Sequence, residues 1–396
     1  MGALLMLQLF RCAVIALVLL AAPAYARAQS LDPSNPTLIH LPSDPDGAMR
    51  AARELVAADN LHGAIKQLAL YVAAHPDENA PARLLGDLYY RAGDLARAES
   101  AYKSILIRYP TDKETHNRLG SVFATENRVD DAIGEFKRSL PGTDSVPDLV
   151  RLYQRKGQLL DYEHDVARAA LSNPTDPDLQ VELGQVYEAT HRPALAILYF
   201  RKAMDNAPGS VMALNGLGLS YMDERDYPTA ERYLGECRSL DPQEYSCADN
   251  LGAAYLESGN LIDAERMLQI AHRLLPERAE AIVNFGYLAD DRGDWKGAVR
   301  FYLQALSVYP YSTDAYIDLG YVYEQHKLYT LAQSALLKGL TVSPTDGHLH
   351  FLLGQTYADQ GVNDLAAAQF RLAAASDDPD VSRVALVRFA ALSGKP

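Results

Sequence analysis

The sequence predicts an all-α array of repeated units, on three observations. Alanine returns every 34 residues at Ala196, Ala230, Ala264, Ala298, Ala332 and Ala366, and proline keeps that interval from Pro174 through Pro208, Pro242, Pro276 and Pro310 to Pro344. Glycine holds the same phase at Gly86, Gly120, Gly184, Gly218, Gly252, Gly286, Gly320 and Gly354. An aromatic follows three residues on, except after Gly286, where Ala289 stands. No stretch reads as a convincing strand. An earlier alanine series, Ala64, Ala98 and Ala132, has the same spacing, but the step from Ala132 to Ala196 is 64 residues, four short of two periods. One unit has therefore lost about a helical turn.

Ahead of the array, Cys12 to Ala26 is uncharged and mainly apolar, follows Arg11, and ends in Ala24-Tyr25-Ala26, the small-x-small pattern of a signal peptidase site; Ala26-Arg27-Ala28 is a second candidate cut. Residues 1–28 are thus expected to be a signal peptide. The stretch is short for a membrane span, so export with cleavage is favoured over an uncleaved anchor. Leu9-Phe10-Arg11 does not form a lipobox before Cys12, which argues against a lipoprotein. Residues 29–44, with Pro33, Pro36 and Pro42, read as an extended tether.

The recurrent positions resemble the tetratricopeptide repeat (TPR), whose 34-residue unit carries Leu-Gly, Tyr, Ala, Phe, Ala and Pro at set places. Residues 177–210 match best, with Leu183, Gly184, Tyr187, Ala196, Phe200, Ala203 and Pro208 all present. The resemblance implies a superhelix of about ten helix-turn-helix units over residues 45–380. The third is shortened where Pro141-Gly142 ends its second helix early, and the fourth is degenerate, with Tyr162 in place of the alanine. The glycine of each first helix is expected to face the alanine of the second, with Tyr187, Tyr221 and Tyr255 filling the space around them. A unit alone buries too little, so stability comes from stacking in one elongated domain. Residues 381–396 read as a capping helix with Val381, Val384, Ala385, Arg388 and Leu392 over the tenth unit and Arg383 and Lys395 toward water.

Composition agrees: 48% hydrophobic residues support an extensive core, and the formal charge of −14 becomes −16 once Arg11 and Arg27 leave with the leader. Such an acidic chain without a basic stripe is a poor nucleic-acid binder. No Walker-type or dinucleotide glycine loop occurs. Cys237 and Cys247 flank one interhelical turn; a disulfide is conceivable in an oxidising compartment, with two small buried thiols the favoured alternative.

No catalytic, cofactor or metal site is expected. His348 and His350, two apart on a helix, point to different faces, and a surface or capping role suits the histidines better than metal binding. Asp44-Pro45-Asp46-Gly47 lacks the remaining ligands of a calcium loop. Asp290-Asp291 and Asp377-Asp378 read as solvated turn residues, and Trp295 as an aromatic packed over the preceding turn. The chain is expected not to be an enzyme.

The family resemblance implies that the first helix of each unit lines an inner surface that receives a protein segment. Between the packing positions, the early units then contribute Arg50, Arg53, Arg83, Arg91, Arg118, Arg151 and Arg155. Later units contribute Asp249, Asp290, Asp291, Asp318 and Glu324 with Tyr245, Tyr287, Tyr321 and Phe351, giving a groove polarised along its length. Asn250, Asn284 and Asp318, each two residues before the glycine, look like the asparagine ladder of sugar-transferase relatives, whose amides grip a peptide backbone. An ordinary solvated face is the alternative, and the carboxylate clamp of chaperone-binding relatives fits worse. The expectation is an exported scaffold, periplasmic or secreted, that binds protein or extended peptide in a cell-envelope assembly, with no nucleic acid and no membrane span after cleavage. The alternative is a regulatory or substrate-presenting subunit for an enzyme, such as a glycosyltransferase, on another chain.

Overall fold

The computed structural model describes residues 44–58, 60–141, 145–276, 278–376 and 378–393. The expected leader, all but Asp44 of the tether, Gly142, Asp377 and Lys395 lie outside them. Among the described residues the chain is helices and turns, with no strand. The first five repeats pair α1 (Pro45–Ala57) with α2 (Leu61–Ala74), α3 (Asn79–Arg91) with α4 (Leu95–Arg108), α5 (Lys113–Thr125) with α6 (Val129–Ser139), α7 (Val146–Arg155) with α8 (Leu159–Ser172), and α9 (Pro177–Ala189) with α10 (Pro193–Asn206). The next five pair α11 (Val211–Asp223) with α12 (Tyr227–Leu240), α13 (Tyr245–Glu257) with α14 (Leu261–Leu274), α15 (Ala279–Asp291) with α16 (Trp295–Val308), α17 (Thr313–Gln325) with α18 (Tyr329–Val342), and α19 (Gly347–Asp359) with α20 (Asn363–Ala373). A last helix, α21 (Pro379–Ser393), follows.

Packing divides the chain into two compact units, one ending at Pro81 and one beginning at Ala82. The first holds repeat one, which buries Ala48, Ala52, Ala64, Leu68 and Tyr71. The second holds the remaining repeats and α21.

Helix starts follow from capping. Asp94, Asp112, Asp176, Ser210, Asp226, Asn260, Asp294, Ser312 and Asp346 each stand before a helix and accept a first-turn N–H, which satisfies a donor that has no intrahelical partner. The turn inside each of repeats two to ten needs one left-handed residue, and positions 93, 127, 157, 191, 225, 259, 293, 327 and 361 supply it with φ between 55° and 79°. The missing turn of helix is shared: α6 has 11 residues and α7 has 10, where α10 has 14 and α9 has 13.

The glycines do not face the alanines. A methyl placed on Gly184 would come within 2.7 Å of the Phe200 ring, one on Gly286 within 2.3 Å of Tyr302, and one on Gly252 within 2.7 Å of Leu268. Each glycine thus receives the large side chain four residues beyond the alanine, while Ala196, Ala230, Ala264, Ala298, Ala332 and Ala366 are wholly buried beside it. The ring needs the space that a Cβ would fill, and the small alanine lets the helices approach. Tyr187 and Tyr221 pair with Tyr199 and Tyr233 at ring separations of 5.4 and 5.6 Å.

Within the second unit, successive first helices touch one another (α7 with α9, α9 with α11, α11 with α13, α13 with α15), besides packing on their own second helices. No comparable packing joins successive second helices among the described residues. The row of first helices therefore forms the inner side of the curve. At the end of the array, α21 buries Ala385 and half-buries Val381, Phe389 and Leu392, whereas Val384 and Arg388 are exposed. The buried face runs at intervals of four from Val381 and includes Phe389, a register one step from the expected one.

Cys237 and Cys247 are joined in a disulfide, their Cα atoms 5.6 Å apart. The sequence favoured two thiols; the antiparallel turn between α12 and α13 brings the residues within bridging distance. Replacing both by alanine is expected to lower stability by about 2–3 kcal/mol, the effect of a loop this short. Denaturant unfolding of the wild type with and without reductant should reproduce most of that loss.

Candidate functional site

The inner row carries the residues singled out in the sequence, and the structure shows what each touches. Arg83 of α3 reaches the Asp112 carboxylate at 2.6 Å and donates to the Thr115 hydroxyl at 3.3 Å. Asp112 also caps α5, so this arginine braces repeats two and three. Arg118 of α5 pairs with Asp87 of α3 at 3.2 Å and with Glu114 at 2.9 Å. Arg91 closes the last turn of α3. Arg155 donates to the Asn127 side-chain amide oxygen in the turn of repeat three. Arg151 of α7 is open to solvent, its side chain 70% exposed and 3.4 Å from Asp148. Arg50 and Arg53 belong to α1 in the first unit.

The expected amide ladder is tied internally. Asn250 donates to the Asn215 amide oxygen at 2.9 Å, Asn284 donates to Asp249 at 3.0 Å, and the Tyr287 hydroxyl donates to Asp318 at 2.8 Å. Each bond joins the first helices of adjacent repeats. An amide nitrogen carries two hydrogens and its oxygen two lone pairs, so these side chains retain capacity for a ligand while holding the row in register. Asn215 was not singled out from the sequence; it stands three residues before its glycine rather than two, and its trace was the 35-residue interval to Asn250.

The later repeats hold their acids in low-dielectric surroundings. Burial pushes the Asp249 carboxyl up to about 6 against the lowering effect of the Asn284 hydrogen bond. Burial likewise pushes Asp318 up to about 7, opposed by the bond from Tyr287 and assisted by Asp314. Glu324, buried in α17, is raised by desolvation and by the hydrogen bond it shares with Asp359. Between these acids stand Tyr287 and Tyr321, 39% and 47% exposed. Repeats two to four thus present guanidinium groups, and repeats seven to nine carboxyl groups and phenol rings.

The remaining candidates resolve into structural parts. His350 is buried, with Nδ1 on the Gln369 amide and Nε2 3.0 Å from the Pro344 carbonyl oxygen; His116 makes the matching pair with Glu135 and Pro110. Both tie a first helix to the loop before it. His348 is 3.6 Å from Asp378. Trp295 stacks on His326 of the following repeat at 4.3 Å, not over the preceding turn. Asp44 caps α1 by accepting from the Gly47 N–H. Among the described residues no group of three His, Cys, Asp or Glu side chains could hold a metal, and no helix is long and apolar enough to cross a membrane.

The sequence profile described as tetratricopeptide repeat matches residues 49–113, 83–147, 148–211 and 283–344. No curated protein is significantly similar to the chain. Among solved structures, the APC/C hetero-tetramer Cut9-Hcn1 is similar at 16% identity over 87% of this chain and 83% of that one, with a TM-score of 0.50. Yeast Tom70 follows at 14% identity over 88% and 96%, TM-score 0.46. A tetratricopeptide repeat protein from Parabacteroides merdae follows at 15% over 70% and 98%, TM-score 0.46. At these identities the likeness is one of fold. The helix pairs, the glycine-to-ring contacts and the matched segments, which together span more than half of the chain, agree: the chain belongs to the tetratricopeptide repeat family.

Proposed function

We propose that this chain is an exported, non-enzymatic scaffold whose inner row of first helices holds an extended protein segment during assembly of a cell-envelope complex. The observation that carries the binding reading is the change of chemistry along that row, from Arg118 and Arg151 to Asp318, Tyr287 and Tyr321. A segment with acidic residues at one end and basic or hydroxyl-bearing residues at the other complements it. Tyrosine supplies contact area at small entropic expense, and the amides can meet any peptide backbone. The net charge of −14 disfavours nucleic acid as the partner. Export is supported by the apolar leader-like stretch and by the Cys237–Cys247 bridge, a bond suited to an oxidising compartment.

A peptide acidic at one end and basic at the other should bind, and the affinity should fall as salt rises. Arg151→Ala should weaken it roughly two- to fivefold, as expected for an exposed charge pair of about 0.5–1 kcal/mol. Isothermal titration of the bipolar peptide, its charge-scrambled isomer and a neutral control checks this; equal affinity for all three would sink the polarised groove. Copurification decides the role: a spread of extended clients supports the scaffold, whereas one stoichiometric enzyme supports a substrate-presenting subunit.

A further inference from the structure

Two tyrosines, Tyr90 and Tyr311, break the repeat pattern, and with Tyr309 they meet. Tyr90 stands four residues after its glycine, where the other repeats carry Ala124, Glu188, Met222, Leu256, Asp290, Glu324 or Ala358. Tyr309 and Tyr311 flank Pro310 in the loop between α16 and α17; the equivalent loops read Tyr109-Pro110-Thr111, Ala207-Pro208-Gly209, Asp241-Pro242-Gln243 and Ser343-Pro344-Thr345, so a tyrosine before the proline recurs once and one after it does not. The Tyr90 ring lies 6.0 Å from that of Tyr309 and 5.2 Å from that of Tyr311, which are themselves 6.0 Å apart. Tyr90 is buried, and its hydroxyl is fixed 2.7 Å from that of Thr125. A methyl on Gly93 would sit 3.8 Å from the Tyr311 hydroxyl, so the turn of repeat two is in contact range as well. Charges continue the approach: Arg151 of α7 acts electrostatically on both Tyr309 and Asp314, as does Glu280 of α15.

We propose that Tyr90, Tyr309 and Tyr311 form a clasp that fastens repeat two to the junction of repeats eight and nine. The inner surface between them is thereby held closed, and a partner must thread it endwise or release the clasp. Clustered aromatics exclude water from one another, and because Tyr309 and Tyr311 stand in a loop, the contact can open and reclose while Tyr90 stays in the core of its repeat. The entry consequence rests on the groove-binding reading above; the closure itself does not.

Three measurements on the full chain test this. With benzoylphenylalanine in place of Tyr311, irradiation should yield an intramolecular cross-link to the α3 segment, and cross-links confined to α16 and α17 would overturn the clasp. The Tyr309→Ala/Tyr311→Ala variant, folded by circular dichroism, should show a larger radius of gyration and maximum dimension in solution scattering; a curve superimposable on the wild type overturns the clasp too. The bipolar peptide should associate several-fold faster with that variant. An unchanged rate overturns the gating role, while absence of binding by either protein counts against the groove reading and leaves the clasp to the first two measurements.

Discussion

Phe200→Ala is expected to destabilise the second unit by about 3–5 kcal/mol, the loss that follows deletion of a fully buried aromatic whose site cannot collapse. The Phe200 ring is wedged between two glycines of adjacent repeats: a methyl on Gly184 would lie 2.7 Å from it, and one on Gly216 2.3 Å. Both neighbours are backbone of first helices, so neither can move in to fill the void without shifting the row that lines the groove. Because a repeat array holds together through nearest-neighbour interfaces, loss at repeats five and six should also split cooperative unfolding into two transitions. The reciprocal change gives the same contact from the other side. Gly216→Ala overpacks the ring and should destabilise by about 1–3 kcal/mol, and Phe200→Leu, which imitates Leu234, Leu268 and Leu336 at the equivalent places, should recover much of that. Urea unfolding of both single variants and the Gly216→Ala/Phe200→Leu pair completes a cycle; strict additivity would show that the two residues are not in contact.

What the sequence made legible was the part that repeats as residue type. Glycine, alanine and the large residue recur because a close helix crossing tolerates few side chains, so a 34-residue interval translates directly into paired helices. The left-handed turn position recurs just as strictly, but as Gly93, Asn127, Gly157, His191, Arg225, Gly259, Gly293, Lys327 and Gly361. A single left-handed residue costs only about 1–2 kcal/mol, which surrounding structure can offset, and so leaves no uniform letter in the chain. The same limit applied to the groove. Arg83 and Arg118 look alike in sequence whether they await a ligand or brace a neighbouring helix, and only the positions of Asp112 and Asp87 show the bracing. For Asn250 and Asn284 the decisive partners, Asn215 and Asp249, lie one residue out of phase with them, an offset that a search for identical phase passes over. Among the clasp tyrosines, Tyr90 and Tyr311 are the converse case, visible as departures from the pattern, with a destination that only the path of the helices could give.

Stability of the second unit should fall as pH rises through the range between the ordinary carboxyl value and about 7, and Asp249 with Asp318 should account for much of the slope. The sign follows from burial. Both carboxyls are held above their unfolded value of 3.8, Asp249 at about 6 and Asp318 at about 7. The native state therefore binds more protons than the unfolded chain throughout that window, and raising the pH favours unfolding. Below the unfolded value both states are protonated and the two groups contribute no penalty; above about 7 the penalty is complete. A displacement of roughly two units corresponds to about 3 kcal/mol at most for Asp249, and local relaxation reduces it. Asp249→Asn keeps the shape and an oxygen for the Asn284 N–H while removing the charge, so it should stabilise the protein above neutrality by about 1–3 kcal/mol and leave it nearly unchanged in acid. Combining it with Asp318→Asn should flatten the slope further. Denaturant midpoints of wild type and variants across the pH range provide the check, and parallel curves would mean that neither carboxyl carries the proton assigned to it. The consequence reaches the groove: near neutrality Asp318 sits between its two states beneath Tyr287 and Tyr321, so a basic segment docking there should drive proton release, and its measured binding enthalpy should vary with the ionisation enthalpy of the buffer.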